Sequence, residues 1–402
     1  MLRTHIILIV LAILVPACTA QAQRRDRYTT QRLYMVEEHV KKEGVKNERV
    51  LEAMRTVPRH EFMLPATRKQ AYFDVALPIG HKQTISPPFI VAYMTEMIDP
   101  QQEDRILEIG TGSGYQAAVL SGLVKEVYSI EIVEPLGKTA AKRLARLGYK
   151  NVTTKVADGY KGWSEHAPFD KIIVTCSPED VPEPLIEQLR DGGKMIVPLG
   201  ERYQQVFYLY EKKDGRLVKQ KLMPTLFVPM TGISEEARKI KPDPLNPRIV
   251  NGGFETSTDG QPNGFHYRRG TKLVSENAPE GGSYLEFENR ELGRSAHILQ
   301  GLSIDGRTIH RVRVSLRVKL DDVSPHRLTH MQPAFVIHYY DSIRRPLGEG
   351  VAGPFLVDSQ WRTVSKTIRV PSKAREAIVR VGLNGSTGTL GVDGLRLTPL
   401  RK

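Results

Sequence analysis

Two short stretches hold the residues whose types and spacing could do chemistry. Leu107-Glu-Ile-Gly-Thr-Gly-Ser-Gly-Tyr115 sets Gly110, Gly112 and Gly114 at alternate positions directly after an apolar run. Glycine removes the Cβ where a backbone must bend sharply and touch a ligand. A dinucleotide fingerprint needs Gly-x-Gly-x-x-Gly, and here the third glycine comes one residue early; no Gly-Lys-Ser/Thr follows to make a phosphate loop. The second stretch, Gln83-Thr-Ile-Ser86-Pro-Pro88, is a polar clip that ends in a hydroxyl. No Gly-x-Ser-x-Gly elbow surrounds Ser86, so it lacks a nucleophile's setting. It reads equally as the N-cap of a helix over residues 89–97, with proline at the first helical position. The two roles are compatible, since a helix mouth offers free N–H groups to a carboxylate. His60 and His81 are near in sequence, but nearness assigns neither a role.

The elements that must position these groups alternate. Strand-like runs cover residues 105–109, 126–130, 151–157, 169–174 and 193–197, with helical stretches over 115–120, 135–147 and 184–189. Alternating strands and helices imply a mostly parallel, doubly wound sheet. Glu131 falls at the tip of the second strand, where a carboxylate can accept both hydroxyls of a ribose. Asp158-Gly159 falls at the tip of the third, placed to meet an adenine edge. Glu131 alone also reads as a solvated strand end and Asp158-Gly159 as an ordinary turn. Three acids at strand tips (Glu108, Glu131 and Asp158) in register with one glycine turn are harder to ascribe to accident.

These residues resemble a known family. Thr56-Val-Pro-Arg-His-Glu-Phe62, Ala76-Leu-Pro-Ile-Gly80, Gln83-Thr-Ile-Ser86, the glycine turn, Ala167-Pro-Phe-Asp170 and Leu226-Phe-Val-Pro229 are similar to protein-L-isoaspartate O-methyltransferases, over about residues 32–232. The glycine turn is common to many methyltransferases, whereas the Gln-Thr-Ile-Ser clip is specific to this family. The resemblance implies an S-adenosylmethionine-dependent methyltransferase fold and transfer of a methyl group to the free α-carboxylate of L-isoaspartyl residues in damaged proteins, giving an ester that collapses to succinimide. It makes Ser86 the active-site serine, with Thr84 and Ile85 positioning substrate. It makes Glu108, Gly110, Thr111, Gly112, Gly114, Glu131, Asp158 and Gly159 the cofactor residues. Thr175-Cys-Ser-Pro departs from the smaller residues usual after the fourth strand. That run also lacks the Asn/Asp-Pro-Pro-Tyr/Phe of enzymes that methylate exocyclic amines of DNA bases, and Glu179-Asp180 is poorly placed for metal-assisted catechol methylation. A small-molecule carboxyl methyltransferase, or an exported binding protein with an inactive methyltransferase fold, remains an alternative.

At 402 residues, two domains are expected. The expected divisions are a signal peptide over 1–22, the methyltransferase domain over 23–233, a charged, proline-rich linker over 234–247, and a β-rich domain over 248–402. The N-terminus has Arg3, an apolar run too short for an ordinary membrane span, and Ala17, Ala20 and Ala22 as small exit residues. This layout points to export to the periplasm or cell envelope, with no transmembrane span once the signal is removed; the family's habit is cytoplasmic. Cys18 lies within that segment, so Cys176 is left without an intrachain partner and reads as a small buried residue.

Beyond residue 247, short alternating runs (312–318, 334–340, 363–370, 377–383) between Gly/Asp/Pro turns read as an antiparallel sandwich. Asn251-Gly-Gly-Phe-Glu255, Gly282-Ser-Tyr-Leu285 and Gly391-Val-Asp393-Gly-Leu395 resemble carbohydrate-binding, galactose-binding-like jelly rolls. That resemblance implies a structural calcium at Glu255 and Asp393 and a glycan partner. The chain carries a formal charge of +13, and residues 246–402 hold 23 Lys and Arg against 15 Asp and Glu. The excess suits an anionic surface or polysaccharide, and no motif for specific nucleic-acid recognition is present.

Overall fold

Ile106, Leu107, Ile109, Val127, Ile130, Ile172, Ile173 and Val174 are all buried, as strands covered by helices on both faces must be. They belong to a seven-stranded sheet in a computed structural model that describes residues 28–258 and 260–401. The export signal expected over 1–22 lies outside the described residues.

The first half begins with helices α1 (Thr29–Met35) and α2 (Glu48–Thr56) and a hairpin of β1 (Leu77–Gly80) with β2 (Gln83–Ile85). Helix α3 (Pro88–Met97) leads into β3 (Arg105–Ile109), α4 (Tyr115–Ser121), β4 (Glu126–Glu131), α5 (Glu134–Arg146), β5 (Val152–Val156), β6 (Phe169–Val174), α6 (Glu183–Gln188) and β7 (Leu189–Glu201). The meander β8 (Gln204–Lys213) and β9 (Arg216–Thr225) completes the sheet. Its order is β5-β4-β3-β6-β7-β8-β9. Pairs up to β7 are parallel, and β7–β8 and β8–β9 are antiparallel. The chain winds outward from β3 to β5 and then returns to β6 on the other side of β3. The crevice above the C-terminal ends of β3 and β6 is therefore where such a sheet binds ligands.

Local chemistry explains the helix starts. Asn47 caps α2, its Oδ1 accepting from the N–H groups of Arg49 and Val50. Gly114, at φ 89°, is the left-handed entry to α4, and a Cβ there would press on Leu144 of α5 at 3.2 Å. Among the described residues no helix is long and apolar enough to cross a membrane.

The second half is all β. Five strands (Thr271–Val274, Tyr284–Asn289, Thr387–Leu400, Arg311–Ser324, Ser359–Arg369) form one antiparallel sheet. Four (Ala296–Ser303, Glu376–Asn384, Ala334–Tyr340, Pro346–Ala352) form another. Leu285, Phe287, Val312 and Val392 from the first meet Ile298, Phe335, Ile337 and Val379 from the second in one core.

The halves are joined by half-buried charge and by packing. Tyr267 packs against the core of the first half. Arg202, beside β8, bonds Glu376 of the four-stranded sheet at 3.0 Å, and Arg344 bonds the same carboxylate at 2.9 Å. The segment 234–247 is pinned on both sides: Glu179 accepts the N–H groups of Lys239 and Ile240, while Arg401 donates to the carbonyl of Leu245.

Burial pushes the Glu376 pKa up, but Arg344 and Arg202 together bring it below the usual range. A depressed carboxylate contributes stability that is present above its unfolded pKa and lost as pH falls through the folded one. Arg202→Ala should therefore cost about 1–3 kcal/mol at neutral pH and flatten the loss of stability below about pH 4. Urea unfolding across the acid range checks both.

Candidate active site

Four strand ends converge on one cleft. It is lined by Glu108 and Ile109 at the end of β3, Gly110, Thr111 and Gly112 after it, Ile130 and Glu131 at β4, Gly159 after β5, and Thr175 and Cys176 after β6. Gln83, Thr84, Ile85 and Ser86 line it from the β1–β2 clip, and Met230 and Thr231 from the segment after β9. The two motifs singled out in the sequence thus face one space.

The glycine turn is drawn tight by strand-tip groups. The amides of Gly110 and Thr111 donate to the carbonyl of Ile130 at 2.8 and 3.1 Å. Glu131 accepts from the N–H of Gly112 at 2.7 Å and of Val133 at 2.9 Å. Gly110 sits at φ 100°, and a Cβ there would collide with Oγ1 of Thr175, which donates to the carbonyls of Ile109 and Gly110. Gly159 is equally constrained, because a Cβ would strike Ile109.

Below the turn, Ser129 Oγ donates to Glu108 Oε2 at 2.6 Å and bonds Thr111 Oγ1 at 2.6 Å. Glu108 is fully buried, and burial, reinforced by the charge of Glu131, pushes its pKa up to about 8. It is neutral at neutral pH. Glu108 Oε1 and Gln116 Oε1 are buried at the cleft with no partner among the described residues. Polar atoms orphaned in this way are completed by an ordered water or by a polar ligand, and here they face a cleft that can hold one. Burial also raises the Glu131 pKa, against the pull of its backbone donors.

The clip differs from expectation in one respect. Ser86 is not the N-cap of α3; Pro87 is, with Pro88 the first helical residue. The cap acceptor comes from elsewhere: Asp74 Oδ1 takes the N–H of Phe89 at 2.8 Å. Ser86 is left facing the cleft. Its carbonyl is held at 2.8 Å by Nη2 of Arg59, a fully buried guanidinium that also bonds the carbonyl of Ala71 and lies over the Tyr115 ring. Asp74 is bonded in turn by Arg269 of the β-rich half, 195 residues away. Arg269 also reaches Glu43 at 3.4 Å.

Two of the expected cofactor residues do not line the cleft. Gly114 shapes the entry to α4. The Asp158 carboxylate holds the N–H groups of Tyr160 at 2.9 Å and Ile233 at 3.0 Å. Arg59, Asp74, Gln116, Thr175 and Arg269 were not singled out as site residues. Arg59 lay in view inside the Val-Pro-Arg-His-Glu-Phe motif, but nothing local to Asp74 or Arg269 signals their pairing. His60 stacks on Tyr28 and bonds the Tyr72 hydroxyl, a structural place.

The expected calcium site finds no support among the described residues. Among the described residues no cluster of three or more His, Cys, Asp or Glu could hold a metal. Glu255 accepts the N–H groups of Gly282 and Ser283, and Asp393 those of Glu280 and Gly394. The neighbouring Glu280 is already matched by Arg317 and Arg396. Both carboxylates are thus engaged by backbone amides, and the acid beside them by guanidinium groups.

The raised Glu108 pKa carries a stability signature. A carboxyl group with a raised folded pKa favours folding fully below its unfolded pKa and loses that contribution as pH rises toward about 8. Between about pH 5 and about pH 8, the cofactor-free protein should lose ~1–3 kcal/mol more stability than Glu108→Gln does. Urea unfolding of both proteins at the two pH values checks it.

Comparison with known proteins gives this arrangement a family. The family model described as protein-L-isoaspartate(D-aspartate) O-methyltransferase matches residues 31–235, half of the chain. The chain is 50% identical over 222 residues to a protein-L-isoaspartate O-methyltransferase of Opitutus terrae, covering 55% of this chain and 95% of that protein. A relative of the same name from Gloeobacter violaceus is 50% identical over 198 residues, 49% of this chain and 97% of its own. Among solved structures, a protein-L-isoaspartate O-methyltransferase matches with 31% identity and a TM-score of 0.46, covering 55% of this chain and 73% of that one. Glycine turn, strand-tip carboxylates and serine clip lie together inside the matched residues, and the chain belongs to the protein-L-isoaspartate O-methyltransferase family: it is an S-adenosylmethionine-dependent repair methyltransferase acting on isoaspartyl residues of damaged proteins.

Proposed function

We propose that Ser86 orients the acceptor carboxylate while Glu108, Gly110, Thr111, Gly112, Glu131 and Gly159 hold the cofactor, with Thr84 and Ile85 forming the acceptor wall. The observation that carries this reading is that the clip and the glycine turn line one cleft. The fit to the cofactor rests on the orphaned Glu108 and Gln116 oxygens and on a turn whose Cβ positions are closed. Asp158 acts from behind, fixing the backbone around Gly159 rather than meeting the ligand. Gly114 acts likewise, through the entry to α4.

When bound, S-adenosylmethionine supplies an electrophilic methyl group on a positive sulfur. The isoaspartyl α-carboxylate, with a pKa near ~3.5, arrives ionised, so the protein need supply no base. Its task is placement, which is worth up to about 7–11 kcal/mol in favourable systems. A single hydroxyl suits this better than a cation would. Negative charge on the acceptor is lost in the transition state, and a strong cation would over-stabilise the starting carboxylate. The buried Arg59 respects that logic by gripping the Ser86 carbonyl and not facing the cleft. Glu131, now bonded to Gly112, is the group that turns to a ribose. Its burial and that of Glu108 suit a ligand with positive groups.

We further propose that residues 1–22 are an export signal and that the protein works in the periplasm or cell envelope. On this reading the two-sheet half is a jelly roll that docks the enzyme to a glycan or anionic surface. The surplus of Lys and Arg over residues 246–402 supports the docking.

Methyl transfer to an isoaspartyl peptide beside the same peptide with normal aspartate is the test. Transfer to the isoaspartyl peptide alone is expected; transfer to both would make the protein a general carboxyl methyltransferase, and transfer to neither a binding protein. Ser86→Ala should lower kcat about tenfold or more with little change in cofactor affinity. Arg269→Ala should lower kcat in the same sense by loosening Asp74 from the mouth of α3, with Arg269→Lys restoring part of it.

A further inference from the structure

A second cavity lies between the two halves. Its volume is about 430 Å³, within the range of small-molecule sites. One wall is the outer end of β8 and β9, including Gln204, Lys221 and Thr225; the other is the β-rich half, including Phe265 and Arg268.

Two features set it apart from a packing gap. First, of the buried side-chain atoms without a partner among the described residues, several of which line neither cavity, two lie here and two at the cofactor cleft. Glu108 and Gln116 carry them there; Thr225 Oγ1 and Arg268 Nη1 carry them here. Thr225 is only 2% exposed, so its hydroxyl cannot turn to bulk water. Second, the cavity is cationic. Arg268 is largely buried, makes no ion pair among the described residues, and keeps its charge at neutral pH despite burial, which lowers its pKa to about 10. The exposed Lys221 ammonium has, among the described residues, only the Thr258 hydroxyl, at 3.2 Å. No Asp or Glu among the described residues lines the space. A guanidinium facing a half-open cavity without a counter-charge suits an anion with oxygens to accept its fork.

We infer that this inter-half cavity is a binding site for a small oxyanion, a carboxylate or phosphate held by Arg268 and Lys221 with the Thr225 hydroxyl as a further donor. Phe265 and Met223 give the apolar wall against which the body of an organic anion would lie. The volume exceeds what a bare inorganic ion fills, so a sugar acid suits it better than free phosphate. Because the two walls belong to different halves, an occupant bridges them.

Isothermal titration of the full chain, saturated with S-adenosylhomocysteine to close the cofactor cleft, decides it. The probes are glucuronate, inorganic phosphate and, as the uncharged control, glucose. Saturable binding of glucuronate or of phosphate is expected, with whichever binds identifying the source of the oxyanion, and none of glucose. Arg268→Gln should weaken that binding about tenfold or more, and Thr225→Val by a few-fold. Unchanged S-adenosylhomocysteine affinity serves as the check on folding, and Thr225→Val alone carries the test if Arg268→Gln fails to fold. Glucose binding as well as glucuronate, neither anion saturating at millimolar concentration, or binding indifferent to both substitutions would each overturn the inference.

Discussion

A single buried carboxylate ties the acceptor side of this enzyme together. Asp74 is removed from water, and burial drives its pKa up while the Arg269 guanidinium draws it back down. Its second oxygen takes the first free amide of α3, the helix that starts two residues after Ser86. Isolated in a low-dielectric interior, such a group would be neutral or expelled; with Arg269 upon it, it can act as a cap. The β-rich half is therefore more than an appendage. It supplies a cation that pairs with the carboxylate capping the helix behind the serine clip.

The cofactor side follows a different electrostatic logic. The Thr111–Ser129–Glu108 chain runs beneath the glycine turn, and Glu131 reaches across it. Nothing in that arrangement is cationic. A positively charged ligand meets two buried carboxyl groups and backbone amides pre-set by the turn. The second cavity inverts this, with a guanidinium and an ammonium and no acid among the described residues. The two pockets are built for ligands of opposite sign.

Much of this was legible in the residues. The apolar runs at 105–109, 126–130 and 169–174 became β3, β4 and β6 almost residue for residue, because buried parallel strands read as continuous hydrophobic stretches. The runs 312–318 and 334–340 alternate or cluster as sandwich strands do, and they lie in such strands. The meander β8–β9 was not anticipated: its Lys and Tyr residues face partly to solvent, which hides the pattern. The cap of α3 was misplaced because Ser-Pro-Pro supplies a plausible local cap while the real acceptor is distant Asp74. Glu255 and Asp393 looked like cation ligands by residue type, yet backbone amides hold them, a choice made by tertiary geometry. The same holds for Arg59 and Arg269, whose roles depend on what surrounds them and not on their neighbours in sequence.

The central claim is that the acceptor arrives as a ready nucleophile and needs only to be aligned. The rate of methyl transfer in a single turnover, measured with both substrates saturating between about pH 5.5 and about pH 7.5, tests this most directly. A flat profile is expected, since the acceptor is ionised throughout and no imidazole takes a proton. A rate that rises through a midpoint of about 6.5 would show that a group of the protein must lose a proton before transfer and contradict the account.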